Sequence, residues 1–260
     1  MARWLLNTFP SWALAIVVLG AFVLLTLAGL AVVRRLMPER SSEHVNELAG
    51  VMAGVIAAVY GVFLAFAVVS LYEEFHEAGQ DVRAEAATMS RVARNAEMLP
   101  PATAARVRTQ LGEYRNAVVG PEWKAMEDGG GSQLAWRELD ELYESLRVEA
   151  DPPGAAGSAF YEETVGAVNE LVDARRARLH GAEASLPVML TILLIGGGVL
   201  TLGLPLVFRV PNPRWHAAMA MSLAVLLGFG LLVALLLDYP FSGDITISTA
   251  PYFEDALADL

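Results

Sequence analysis

An all-α membrane protein, with four transmembrane helices and a helical bundle inserted between the second and third, is the fold this sequence predicts. Three observations carry that reading. Hydrophobic residues make up 55% of the chain and gather in four blocks rather than in periodic stripes. Two blocks precede a polar, helix-patterned stretch over 72–185, and two follow it. The second block, GVMAGVIAAVYGVFLAFAVVSL, has no charged residue and runs without proline into YEEFHEAGQDVRAEAATMSRVARNAEML. About twenty apolar residues suffice to cross a bilayer as a helix. The pattern therefore predicts one long helix that leaves the membrane near Tyr72 and becomes the first helix of the bundle.

Taken in order, residues 1–10 form a short amphipathic lead, with Trp4, Phe9 and Trp12 as interfacial anchors. Residues 11–33 are the first span. It is too long for a signal-peptide core and is followed by RRLMPER rather than a small-residue cleavage site. Pro38 stops it, and Ser41 and Ser42 are N-cap candidates for the next helix. Domain 1–71 thus holds spans 1 and 2.

Within domain 72–185, Pro100-Pro101 ends the exit helix. A second helix is expected over 102–119, broken by Pro121 and DGGGS. A third, over 132–149, carries Leu134, Leu139, Leu142 and Leu146 on one stripe. DPPGAAG reads as a loop. A fourth helix, over 158–184, shows Val165, Val168, Leu171 and Val172 as its apolar face. Short connections between amphipathic helices predict antiparallel packing. Domain 186–237 holds span 3, with Gly196, Gly197 and Gly198 permitting close contact or a kink, and span 4, ending at Asp238. The segment 238–260 is an acidic tail with a β-prone patch, ITIST.

Composition narrows the function. A net charge of −11 argues against nucleic acid, whose phosphates need a basic face. Without cysteine there are no disulfides, thiolate metal sites or cysteine nucleophiles. The four histidines (His44, His76, His180, His216) show no metal-ligand spacing, and the GGG run lacks the lysine of a phosphate loop. No EF-hand pattern is present. No cofactor is expected, and an enzyme is the weakest reading.

Two features point toward ion handling. Glu73, Glu77, Asp81 and Glu85 recur every four residues just beyond the second span, forming one acidic row on a helix. Around a symmetric axis, each level would become a ring of carboxylates that attracts cations; facing bulk water, the row is a solvated face. Inside the span, Gly50, Gly54 and Ala58, with Ala57, Gly61 and Ala65 beside them, form small-residue rows that let helices approach closely in lipid, within one subunit or between copies. Asp238 sits where the fourth span ends, either as an ion site or paired with an arginine of the 173–178 segment. Tyr60, Thr191, Thr201 and Ser222 are polar groups that can bond within or between spans. The bundle sums to −9 and the tail to −5, which would concentrate cations in any vestibule there.

The two short loops carry Arg34, Arg35, Arg40, Arg209 and Arg214. The positive-inside bias places these loops in the cytoplasm, with the bundle and both termini outside.

Several segments resemble the bestrophin-like family of membrane proteins, remote relatives of the bestrophin channels. They are GVFLAFAVVSLYEEFHEA, EYRNAVVGPEWKAMEDG, LVDARRARL and LDYPFSGDI, over about Gly50 to Phe253. The resemblance implies an oligomeric anion channel with a cytoplasmic helical domain, opposite in sidedness to the arginine bias. The sequence lacks that group's proline-bearing aromatic neck in the second span and its acidic calcium clasp. The leading expectation is a homo-oligomeric, multi-pass channel in the lipid bilayer, passing inorganic ions and favouring cations, with its second span bordering the pore. The rivals are a non-conducting sensor or scaffold whose bundle binds a partner, and a bestrophin-type anion channel.

Overall fold

A computed structural model describes residues 2–36, 43–147, 154–183, 186–208 and 210–260. Pro38, Ser41, Ser42, Arg40 and Arg209, singled out above, lie outside these residues. Every regular element described is helical: α1 (Ala2–Thr8), α2 (Ser11–Leu36), α3 (Glu43–Ala96), α4 (Pro101–Ala117), α5 (Trp123–Glu127), α6 (Gln133–Arg147), α7 (Gly154–Glu183), α8 (Val188–Val207) and α9 (Pro213–Leu237). Four apolar stretches, in α2, the first part of α3, α8 and α9, are long and apolar enough to cross a membrane. The 54 residues of α3 run unbroken, about 80 Å at 1.5 Å per residue.

The chain forms two compact units. The first comprises Met1–Glu73 and Ser185–Asp238. Here α2 packs on α8 and α9. Without a hydrophobic driving force between helices in lipid, close approach depends on small residues. A Cβ on Gly29 would lie 2.8 Å from Leu206, one on Gly228 3.1 Å from Leu19, and one on Gly230 2.8 Å from Leu64. Of the three expected glycines on α8, Gly197 and Gly198 press on Tyr60, whereas Gly196 has nothing within 4 Å. The Tyr60 hydroxyl donates across to the Leu194 carbonyl at 2.7 Å. Thr191, Thr201 and Ser222 bond carbonyls four residues back in their own helices. Pro213 opens α9 at its first turn, and the Asn212 side chain accepts from the Arg214 amide at 3.0 Å.

The second unit comprises Glu74–Ala184 and Tyr239–Leu260. Its core brings together residues of the two predicted stripes, Leu139, Leu142 and Leu146 of α6 and Val168 and Leu171 of α7, with Val82, Met89 and Val92 of α3, which the sequence pattern does not single out. Three local expectations are corrected. Pro121 does not end the second helix: Val118–Glu122 form one turn of π-helix that leads into α5. The wider turn accommodates a residue that has no N–H to give. α7 starts at Gly154, so the end of DPPGAAG is helical and not loop. ITIST forms no strand; two short 3-10 turns, Ala250–Phe253 and Asp255–Leu257, follow it. The segment expected as a tail puts Phe241, Tyr252 and Leu257 into the core, with Trp123 edge-on to both Phe241 and Tyr252.

Candidate functional site

The long helix α3 positions most of the residues singled out for ion handling. Along its apolar part, Ala53, Tyr60 and Leu71 are buried within the chain. At about 100° per residue, Val51, Ala58, Val62, Ala65 and Val69 fall on the opposite side, and all five are exposed. The expected small-residue rows also lie open. Gly50, Gly54, Ala58, Gly61 and Ala65 are exposed and Ala57 is half-buried. A Cβ on Gly50, Gly54 or Gly61 would meet nothing within 4 Å. These rows therefore do not pack α3 inside its own subunit; Gly197 and Gly198 of α8, against Tyr60, and Gly230 of α9, against Leu64, approach it there. Elsewhere the exposed apolar surface is bulky: Leu24 and Leu25 on α2, Ile192 and Leu193 on α8.

The exposed line continues beyond the apolar part through Glu73, His76 and Gln80. Glu73 and Glu77 stand exposed, while Asp81 is half-buried. Burial, then the negative charges of Glu77 and Glu85, push the Asp81 carboxyl above its ordinary value, with His180 acting in the opposite sense. The repulsion expected of like charges spaced by four is thus present at Asp81.

Glu85 departs from the row. It is fully buried, and its carboxylate takes hydrogen bonds from Arg178 Nε and Nη2 and, at 2.7 Å, from the Tyr114 hydroxyl. The physical reason is its phase: Glu85 follows Ala78 and Val82 on the stripe of α3 that faces the core. An isolated charge there would be costly, so it is paired.

Around that pair lies a network that sequence reasoning missed. Arg178 Nη2 also donates to Glu122 Oε1 at 2.6 Å, and Arg178 Nη1 contacts the Met126 sulfur. Arg175 Nε donates to Glu122 Oε1 at 3.0 Å, and its Nη2 donates to Glu122 Oε2 and to the Ser132 carbonyl. The Ser132 amide donates to Glu122 Oε2 at 3.0 Å. Arg175 also stacks on Trp136, 4.1 Å from its ring centre. All four charged groups are fully buried. Burial alone would raise the Glu122 carboxyl. The hydrogen bond from Arg175 and the charges of Arg178 and Arg175 outweigh it and hold the carboxyl below its ordinary value. Burial and the Glu85 charge raise the phenols of Tyr114 and Tyr252 well above the ordinary range. The signal was in LVDARRARL: Leu171, Arg175, Arg178 and Ala182 form one helical stripe, so two arginines sit where apolar residues belong.

Asp238 accepts from the Leu186 amide at 2.8 Å, fixing the segment that leads into α8. The arginines proposed as its partners are engaged elsewhere: Arg175 and Arg178 in the core, Arg176 with Asp173.

Residues 20–252 match the bestrophin-like domain. The chain is similar in structure to two crystallised variants of a bacterial bestrophin homologue from Klebsiella pneumoniae. One has a TM-score of 0.66 at 14% identity, covering 93% of each chain. The other has 0.65 at 15% identity, covering 91% of this chain and 93% of that one. A further crystal structure, described as a membrane protein, has a TM-score of 0.64 at 15% identity over 91% and 93% of the two chains. None of the curated proteins matches this sequence. The matched domain spans the apolar helices and the buried network alike, and on it this chain belongs to the bestrophin-like family.

Proposed function

We propose that this protein is a homo-oligomeric ion channel of the membrane, in which α3 of each copy borders a shared axis. The observation that carries the reading is the outward face of α3. It combines open small-residue rows at Gly54, Ala58, Gly61 and Ala65 with the exposed carboxylates Glu73 and Glu77 a few turns further on. Lipid accommodates bulky side chains equally well, so a small-residue face on a helix otherwise surrounded by leucine and valine fits another helix better than lipid. Membership of the bestrophin-like family agrees with an ion-conducting oligomer.

In this reading residues 72–185 form a helical bundle inserted between spans 2 and 3. Residues 238–260 complete it, and the short arginine-bearing loops lie in the cytoplasm. Rings of Glu73 and Glu77 at the mouth, on a unit of strongly negative charge, favour cations over anions. Recording purified protein in planar bilayers tests this. The expected outcome is a conductance whose reversal potential in a salt gradient reports cation selectivity, reduced in Glu73→Gln/Glu77→Gln. An intact oligomer with no conductance would favour the scaffold reading. A selectivity unmoved by the two substitutions would remove these carboxylates from the pathway.

A further inference from the structure

Between α4 and α6 of the second unit lies a cleft of about 430 Å³, a volume within the range of small-molecule sites. Its walls are polar. Among the described residues of its lining, Ala105 of α4 is the one apolar side chain, and Ser145 of α6 is the one buried residue, at 7% exposure. No aromatic ring or branched aliphatic side chain lines it, so lipid tails and flat ring systems have nothing there to pack on.

The hydrogen-bonding sense of the walls is one-sided. The Ser145 hydroxyl gives its hydrogen to the Leu142 carbonyl at 2.7 Å, and the Thr109 hydroxyl to the Ala105 carbonyl at 3.0 Å. Each oxygen is left with lone pairs alone. Gln110 Oε1 takes no hydrogen bond among the described residues. Glu144 accepts from Arg147 at 3.0 Å, whereas Glu141 forms no ion pair there. Arg106 Nη2, on the α4 wall, is spent on Thr103 Oγ1 at 3.0 Å. Two carboxylates against one guanidinium leave the lining net negative.

We infer that this cleft binds a small organic cation bearing primary ammonium groups, with Glu141 as its counter-charge and the oxygens of Thr109, Gln110 and Ser145 as further acceptors. An ammonium brings three donors and no acceptor, the complement of such walls. Its hydrogen bonds to a carboxylate are about twice as strong as neutral ones. A metal ion does not suit the same place: no group of three His, Asp or Glu side chains fit to hold one occurs among the described residues. The site uses no residue of α3, and so does not rest on the channel reading. A cation bound there bridges α4 and α6 and stabilises the second unit by mass action.

Putrescine, a linear diamine, is the probe, titrated by calorimetry into the full chain in detergent. The expected result is saturable binding of one molecule per chain, with a thermal midpoint that climbs as the probe is added. Glu141→Gln should weaken binding about tenfold or more. Ala105→Leu should do the same by filling the cleft while every carboxylate stays in place. Both positions are exposed, so both variants should melt as the wild type does without the probe. The fully methylated bis-quaternary analogue of putrescine keeps both charges, has no N–H, and should bind about tenfold more weakly. Glu162→Gln/Glu163→Gln, at exposed positions of α7, should bind putrescine as the wild type does. The inference is overturned by an absence of saturable heat, by Glu141→Gln or Ala105→Leu binding undiminished, or by equal affinity for the methylated analogue. It is also overturned if Glu162→Gln/Glu163→Gln loses as much as Glu141→Gln, which would reduce the binding to general attraction by a chain of net charge −11.

Discussion

Arg178 reaches across 93 residues of sequence to hold Glu85, Nη2 lying 3.2 Å from Oε1 with both side chains fully excluded from water. Removing one member of such a pair leaves the other charge buried without compensation, at a cost of about 3–5 kcal/mol. Arg178→Met should therefore lower the thermal midpoint of the second unit sharply, because Glu85 and Glu122 both lose a donor. Glu85→Gln/Arg178→Met should recover part of the loss. A double variant as unstable as the sum of its parts would mean the two side chains are not coupled.

Acid should act on the same network with a definite sign. The Glu122 carboxyl is held below its ordinary 4.5. Its stabilising contribution is thus complete above that value and disappears as pH falls through its lower folded value. Melting curves of the purified protein should show stability declining in that acid range. Glu122→Gln should be less stable at neutral pH and flatter in its dependence there.

Asp81 should behave in the opposite way. Its carboxyl is raised above 3.8, so its ionisation disfavours the folded state and the penalty grows as pH rises through its folded value. Asp81→Asn should modestly raise the thermal midpoint at neutral pH and change little in strong acid. A variant less stable at neutral pH would show that the carboxylate serves a contact rather than bearing a strain.

The glycines separate two kinds of helix contact. Gly197→Ala would drive a methyl into the Tyr60 ring, at 2.5 Å from Cδ2, and should destabilise the first unit. A Cβ on Gly61 meets nothing within 4 Å in its own subunit, so Gly61→Leu should leave the midpoint of the dissociated subunit unchanged while reducing the oligomer seen by light scattering in detergent. An unaltered oligomer would move the α3 face toward lipid.

Much of the fold was readable in the amino acids because it follows from local pattern. The apolar stretch of α3, its proline-free continuation and the leucines of α6 needed no distant partner. The four-residue spacing from Asp81 reads Glu85 into an acidic row open to a pore or to water, whereas the side chain is buried against Arg178. Its neighbours Val82 and Met89 show that it lies on the buried side. What decides its state is Arg178, on another helix, and no local pattern states that pairing. The open position of Gly54 and Gly61 was equally hidden: spacing says that a partner helix can approach, not which one. Phe241 and Tyr252, in a segment that reads as an acidic appendage, enter the core through contacts with Trp123, more than a hundred residues earlier.

The π turn at Val118–Glu122 works as a phase shifter. Compared with an uninterrupted α-helix it holds one surplus residue, and a single residue corresponds to about 100° of rotation about the axis. Excising Pro121 would leave a longer, more regular helix and swing Glu122 away from both arginines. Local regularity would improve while Arg175 lost its carboxylate in the dry interior and Arg178 kept Glu85 alone. One ungainly turn therefore sets the angular register on which charge neutrality at the centre of the domain depends.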